Sequence, residues 1–450
     1  MGFTFLSVFF LLLTTASPLR DYPKDLCLSA AQGRGRSSNG TGIRLPLHHV
    51  NGPCSPVNYP PVRFEDTVRQ DEARVRYLLS RLSGTRSFPQ PDAFGVPVES
   101  GGKVGTGNFV VGVGLGTPAK DYVMIADTGS TFTWLQCQPC TQYCHAQAGP
   151  VYDPSSSSTY ASVSCGDDAC TGLQEATLNP SGCSSQNKCE YEASYGDRSL
   201  SIGFVSRDTL SVGSESLPGF LYGCGQLNQG LFGQTAGIIG LSRDKYSLFA
   251  QLGSKYGNVF SYCLPTPSST GTLSFGAGVD DQSAYQFTPM RSSSRDQSLY
   301  FLQLTGISVA GESLPVSTAE YTRQPTLIDS GTVITRLPDT VYAALRDAFV
   351  KQTAGYPKAQ AFSLLDTCLQ AKAKDVAVPE VVMHFEGGSE LKLEAWNVLM
   401  DVGDGQSCLA FAGTSMSEGV AIIGNRQQQK TTVVYDVSNS RIGFANGGCS

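Results

Sequence analysis

Charge is scarce in this 450-residue chain. Asp, Glu, Lys and Arg make up 16% of it and hydrophobic residues 40%, against an average charged fraction of about 25%. A long disordered protein needs the opposite balance. Basic residues are also the minority, 32 against 38 acidic, for a net charge of −6. That argues against a chain built as a nucleic-acid scaffold or an anionic-membrane binder, both of which need basic surface. Only four histidines are present, which leaves few routes to histidine-based catalysis. No Gly-x-Ser-x-Gly elbow occurs, so the serine-hydrolase turn is missing. No stretch approaches the roughly 18 apolar residues of a membrane span, so no anchor is expected.

What is abundant points elsewhere. Gly 49 and Pro 24 accompany plentiful Val, Thr, Tyr and Phe, the composition of many short strands joined by tight turns. The length suits about two or three domain-sized units. Fourteen cysteines indicate an oxidising compartment or metal sites. Residues Phe3 to Leu13 form a short apolar run followed by Thr14-Thr15-Ala16-Ser17, the pattern of a signal peptide over residues 1–17. A plastid transit peptide is the rival, because residues 1–20 hold no acid and several Ser and Thr. The cysteines favour the secretory route, extracellular or vacuolar, with the chloroplast as alternative.

Residues 18–94 differ from the rest. They carry 11 Lys and Arg against 7 Asp and Glu, a net of +4, while the remainder carries 21 against 31, a net of −10. Within this leader, Phe64 to Leu82 reads as a helix. Val68, Val75, Leu78, Leu79 and Leu82 recur at helical spacing, with Arg69, Arg74, Arg76 and Arg81 between them. One reading is a solvated amphipathic helix. The other is a pro-segment whose cations cover an acidic cleft. Ser83 to Asp92 reads as an exposed linker and processing site. Asn39-Gly40-Thr41 is a usable glycosylation sequon, whereas Pro180 blocks Asn179.

Two short strings carry the chemistry. Ile125-Ala126-Asp127-Thr128-Gly129-Ser130 has a counterpart 202 positions later, Leu327-Ile328-Asp329-Ser330-Gly331-Thr332. A lone Asp-Thr-Gly is usually a turn; two copies, each behind apolar residues, are not a chance pair. Gly129 and Gly331 permit a sharp turn and close backbone approach. The hydroxyls of Ser130 and Thr332 can donate to their Asp and fix its orientation. Two such carboxylates brought together share one proton and titrate as a coupled pair. One can then take a proton from water while the other donates to a carbonyl oxygen. Gly237-Ile238-Ile239-Gly240 and Ile422-Ile423-Gly424-Asn425 follow the two Asp in the same order, which indicates an internal duplication.

With these strings the chain resembles pepsin-fold aspartic endopeptidases, in particular the plant nepenthesin and chloroplast-nucleoid protease subgroup. The leader string Leu45-Pro46-Leu47-His48-His49 through Gly52-Pro53-Cys54-Ser55-Pro56 is similar to that subgroup's pro-segment. Gly114-Leu115-Gly116-Thr117-Pro118, and Ile422 to Gln428 followed by Tyr435-Asp436 and Arg441 to Ala445, match as well. The resemblance implies an all-β, bilobal fold with a cleft between duplicated lobes and a few short helices. It implies Asp127 and Asp329 as the catalytic dyad. It makes Tyr195, at the tip of a hairpin over Cys189 to Val205, the flap tyrosine, and Trp134 the tryptophan whose indole N–H bonds it. An acid-acting secreted zymogen follows, with an extended polypeptide as substrate and its own pro-segment as inhibitor. No cofactor, metal or nucleic acid is expected for the mature body, and a monomer is. Two departures stand out: Ala126 precedes the first Asp where a larger residue is common, and Arg198 follows Asp197 where Gly or Ser is common. A catalytically silent binding module of the glycoside-hydrolase inhibitor type, and a DNA-binding nucleoid protease, are the alternatives.

The expected division is 1–17 signal peptide, 18–94 pro-segment, 95–289 first lobe with a Cys-rich insert and flap, and 290–450 second lobe, with Val98 to Leu115 supplying strands that span both. Helix is expected over Asp339 to Gln352. Cys137, Cys140 and Cys144 with His145 could be mistaken for a metal site. In a secreted chain they read instead as part of a disulfide set with Cys165, Cys170, Cys183, Cys189, Cys224, Cys263, Cys368, Cys408 and Cys449. Those twelve allow six bridges, and their spacing leaves the pairing open.

Overall fold

A computed structural model describes residues 35–36, 42–52, 54–57, 64–83, 109–140, 143–197, 199–276, 282–414 and 420–449. The expected signal peptide, Asn39, the linker beyond Ser83, residues 98–108 of the lobe-spanning strands and Arg198 lie outside them. Strands dominate. The long helices are the leader helix Phe64–Ser83 and Asp339–Gln352, both where the apolar spacing places them. No helix among the described residues is long and apolar enough to cross a membrane.

A platform of antiparallel strands underlies two lobes. The leader strand Ile43–His49 is sandwiched between Gly271–Phe275 and Phe109–Leu115. Its pairing with Phe109–Leu115 begins at Leu47, one residue past Pro46, which has no N–H to give. Beyond Gly271–Phe275 come Val259–Cys263, Thr431–Asp436, Arg441–Asn446 and Gln286–Pro289, each paired antiparallel to the next. The last strands of the chain therefore return to the platform. The Leu45–His49 string carries no strand signal beyond its resemblance, and the structure places it inside the sheet.

Above the platform the duplication is explicit. In the first lobe, Lys120–Asp127 runs parallel to Gly237–Gly240, with Asp127 opposite Gly240. Trp134–Gln136 then pairs antiparallel with Gly237–Ile238 and parallel with Glu215–Gln229. In the second lobe, Thr326–Ile328 runs parallel to Ile422–Ile423. Thr335–Pro338 pairs antiparallel with Ile422 and parallel with Phe411–Thr414. Each Asp thus leaves the end of a buried strand into the same kind of turn. The hairpin expected to serve as the flap joins Cys189–Ser194 to the first residues of Leu200–Val212, with Ser194 opposite Leu200. Its first arm alternates buried Cys189, Tyr191 and Ala193 with half-exposed neighbours, the period of two that a strand over a core requires.

Candidate active site

The two Asp turns meet at the centre of the molecule. Ser130 Oγ donates to Asp127 Oδ2, and Gly129 N donates to Asp127 Oδ1 at 3.0 Å. Thr332 Oγ1 donates to Asp329 Oδ2 at 2.6 Å, and Gly331 N to Asp329 Oδ1 at 3.3 Å. The turns also grip each other. Thr128 N donates to Ser330 Oγ at 3.1 Å, and Ser330 N donates to Thr128 Oγ1 at 2.9 Å. A Cβ on Gly129 would stand 2.7 Å from Asp329 Oδ1, and one on Gly331 would stand 2.6 Å from Asp127 Oδ1. Each carboxylate lies over the glycine of the other lobe, so both positions must be glycine. Asn425 Nδ2 and Gln428 Nε2 hold the second turn from behind through the carbonyls of Ser330 and Asp329, at 3.0 and 3.2 Å.

The hairpin that carries Tyr195 closes one side. Trp134 Nε1 donates to Tyr195 Oη at 2.7 Å, and Phe232 packs edge-on against both rings. Burial pushes the Tyr195 hydroxyl well above its ordinary range, so it stays protonated. Asp197 Oδ1 accepts from Ser199 N at 2.9 Å and closes the turn.

The leader helix fills the cleft. Arg74 reaches both acids: Nε and Nη2 donate to Asp329 at 2.8 Å each, while Nη1 and Nη2 donate to Asp127 at 3.0 and 2.7 Å. Burial opposes the Arg74 charge, yet the two carboxylates raise its pKa well above the ordinary value. Burial likewise pushes the Asp329 carboxyl up, but the charge and hydrogen bonds of Arg74 outweigh it and hold the carboxyl low. Three residues earlier, Asp71 accepts from the backbone N–H groups of Val333 and Ile334 and pairs with Arg336 at 3.0 Å. One turn beyond Tyr77, Arg81 pairs with Asp296 and donates to the Gly129 carbonyl at 3.2 Å. The apolar face of the helix (Val75, Leu78, Leu79, Leu82) packs on Leu299, Phe301, Leu327, Val420 and Ile422.

Comparison with known proteins places this arrangement. Two family models match, described as xylanase inhibitor N-terminal over residues 109–277 and xylanase inhibitor C-terminal over residues 299–446. The chain is 42% identical to an aspartyl protease family protein of Arabidopsis thaliana, covering 91% of this chain and 88% of that one. It is 33% identical to aspartic proteinase nepenthesin-2 of Nepenthes gracilis, covering 92% of each. The chain belongs to the aspartic protease family. Its fold is shared by basic 7S globulin from soybean, with a TM-score of 0.60 and 22% identity over 76% of this chain and 94% of that one. Conglutin gamma from lupine seeds also matches in fold, at 0.60 and 20% identity over 76% and 92%.

In this member of the family the structure brings Asp127, Asp329, Ser130, Thr332, Gly129, Gly331, Trp134 and Tyr195 into one cluster. The cysteines pair as Cys137–Cys224, Cys140–Cys144, Cys165–Cys183, Cys170–Cys189, Cys263–Cys449 and Cys368–Cys408. His145, adjacent to Cys144, bonds the Thr235 carbonyl at 2.8 Å. The sequence reading grouped four leader arginines together and missed their division of labour. Arg69 pairs with Asp66 of its own helix, and Arg76 lines a side groove; among the described residues, Arg74 and Arg81 are the two of the four that pair with acids beyond the leader. Asp71 and Arg336 went unnoticed. The available signal was that Asp71, Arg74, Leu78 and Arg81 share one helix face, so three charged residues sit on the apolar stripe.

Proposed function

We propose that this aspartic protease is an active endopeptidase, made as a secreted precursor and released from its leader by acid. One observation carries the reading: a single Arg74 nitrogen contacts Asp127 at 2.7 Å and Asp329 at 2.8 Å. Two carboxylates from two lobes that share one small cation can share one proton and one water when it leaves. One carboxylate then removes a proton from that water as its oxygen attacks the peptide carbonyl carbon. The other donates its proton to the carbonyl oxygen, and the tetrahedral species collapses with proton transfer to the leaving amine. Neither step needs a covalent intermediate. Ser130 and Thr332 keep the carboxylates oriented, and Tyr195, held by Trp134, covers the substrate. An extended polypeptide lies between platform and flap, recognised partly through its backbone. We place the division between lobes near Pro289 and regard the leader, through Arg74, as the enzyme's own inhibitor, with the protein acting as a monomer. Leader cations Arg74 and Arg81 are committed to acids of the body, which disfavours a role in binding DNA.

The test is direct. Acidified precursor should lose the leader's mass and cleave an unfolded protein, with inhibition by pepstatin. Asp127→Asn and Asp329→Asn should each abolish cleavage. Retained turnover in either would refute the dyad. A second reading is a silent binding module, favoured by the description of both matching family models as xylanase inhibitor. A folded, leader-free protein that cleaves nothing from acid to neutral pH would select it.

A further inference from the structure

The duplication sets Trp134 and Arg336 in equivalent places. Each lies seven residues after its Asp. Trp134 pairs antiparallel with Ile238 and parallel with Gly223. Arg336 pairs antiparallel with Ile422 and parallel with Ala412. One lobe therefore presents an indole beside the dyad, where it serves the flap. The other presents a guanidinium.

Arg336 is only 4% exposed, and among the described residues the body acceptor of its guanidinium is the Ile334 carbonyl, at 2.7 Å from Nη1. Its ion pair among the described residues is with Asp71 of the leader. The Asp71 carboxylate also takes two backbone N–H groups, those of Val333 and Ile334. When the leader departs, this pocket loses its carboxylate, and a buried guanidinium without a partner is costly. Of the other acids bordering the groove, Asp366 accepts from Tyr342 Oη and Thr367 Oγ1 and Asp339 stands in the first turn of the helix Asp339–Gln352, and among the described residues neither pairs with Arg336. Arg336 also borders an existing groove of about 540 Å³ between the leader helix and the second lobe, so there is room for a ligand side chain. Three helical residues separate Asp71 from Arg74, an advance of about 4.5 Å, or one to two residues of an extended chain.

We propose that Arg336 is a specificity-determining residue, whose guanidinium binds the side-chain carboxylate of an Asp or Glu in the polypeptide substrate within a few residues of the scissile bond. In this view Asp71 of the leader occupies the place of that substrate acid. The inference rests on the endopeptidase reading above. Arg is suited to the task because its planar fork matches a carboxylate bidentately.

The test uses acid-activated full-length precursor and a set of peptides with one fixed cleavage site, in which Glu or Gln is placed at each of the three positions on either side. Assays run at the highest pH that still gives turnover, where the Glu is ionised. At one position the Glu peptide should exceed its Gln twin in kcat/KM by about tenfold or more. That ratio should fall to about one in Arg336→Gln. Arg336→Lys, which keeps the charge and loses the fork, should give an intermediate ratio and serves if the Gln variant does not fold. Wild-type cleavage with equal ratios at every position would overturn the assignment while leaving the peptidase intact. A preference that survives both variants would also overturn it. No cleavage of any peptide by folded, leader-free wild type would overturn both readings.

Discussion

Replacing Arg74 by Met in the full precursor keeps the aliphatic stem and removes the guanidinium. Four hydrogen bonds join that group to the dyad, between 2.7 and 3.0 Å. Removing one partner of a buried ion pair typically costs about 3–5 kcal/mol. The loss is smaller where two carboxylates can take up a shared proton, so about 2–4 kcal/mol is the working range. The helix remains docked, because Val75, Leu78, Leu79 and Leu82 are buried and each such side chain contributes about 1.5–3 kcal/mol. Undocking at pH 7 should therefore become about 30- to 1,000-fold more frequent.

The effect has a defined pH dependence. Burial raises the Asp329 carboxyl and Arg74 lowers it further than burial raises it. A carboxyl depressed in the docked state stabilises docking above its pKa in the released state. That contribution is lost as pH falls through the docked value. Wild type and variant should then converge in acid. Amide hydrogen exchange over residues 64–83, followed by mass spectrometry and normalised to intrinsic rates, reads this without assuming any catalysis. A freed helix of 20 residues is marginal in water, so undocking exposes its amides. Equal protection at pH 7 would refute the argument. So would a difference that persists undiminished below the ordinary carboxylate range.

Three further outcomes are expected. Trp134→Phe keeps an aromatic ring but removes the 2.7 Å bond to Tyr195; at about 1 kcal/mol per hydrogen bond, kcat/KM should fall about fivefold while its pH profile stays put. Gly331→Ala places a Cβ 2.6 Å from Asp127 Oδ1 and against the Arg74 guanidinium. Circular dichroism should show a folded protein in which turnover drops at least about 100-fold and leader protection in hydrogen exchange weakens together with it. Removing Cys263–Cys449, with a sequence separation of 186, should lower unfolding free energy by about 5 kcal/mol on loop-closure grounds, against about 2 kcal/mol for Cys140–Cys144, with a separation of 4. Denaturant titration of the two double-Ser variants checks the ranking.

Much of the fold and part of the site could be read from residues because their signals are local. The apolar pair before each Asp, the glycine two residues on and the hydroxyl three on are one strand end and one turn, repeated. The helices Phe64–Ser83 and Asp339–Gln352 announce themselves by period. What escaped depends on long-range pairing. Nothing near Pro46 says that its strand lies inside a sheet, since a proline argues for an edge. The interior place is possible because the missing N–H falls just outside the ladder to Phe109–Leu115. Cys137 and Cys224 are 87 residues apart, so their spacing carries no partner information. Choosing Arg74 among four arginines needed the register of the docked helix over the dyad, which composition does not contain.

The duplication itself held more than was drawn from it. Aligning the halves on Asp127 and Asp329 superposes turns that have kept their chemistry, because each glycine must clear the other lobe's carboxylate and each hydroxyl must hold its own. Beyond the turns the same alignment exposes where the halves have separated. Trp134 is fully buried and spends its only donor on the flap. Arg336, at the matching position, instead meets an acid of the leader. Buried ion pairs contribute little to stability on balance, so under the proposed release of the leader the pairing of Asp71 with Arg336 calls for a use beyond holding the helix in place. The dyad requires symmetry, and the substrate, which is a chain with direction, does not. Residues equivalent in the duplication yet different in charge are therefore where selectivity for one direction and one sequence should be sought, and Arg336 is the charged member of the pair that flanks the dyad.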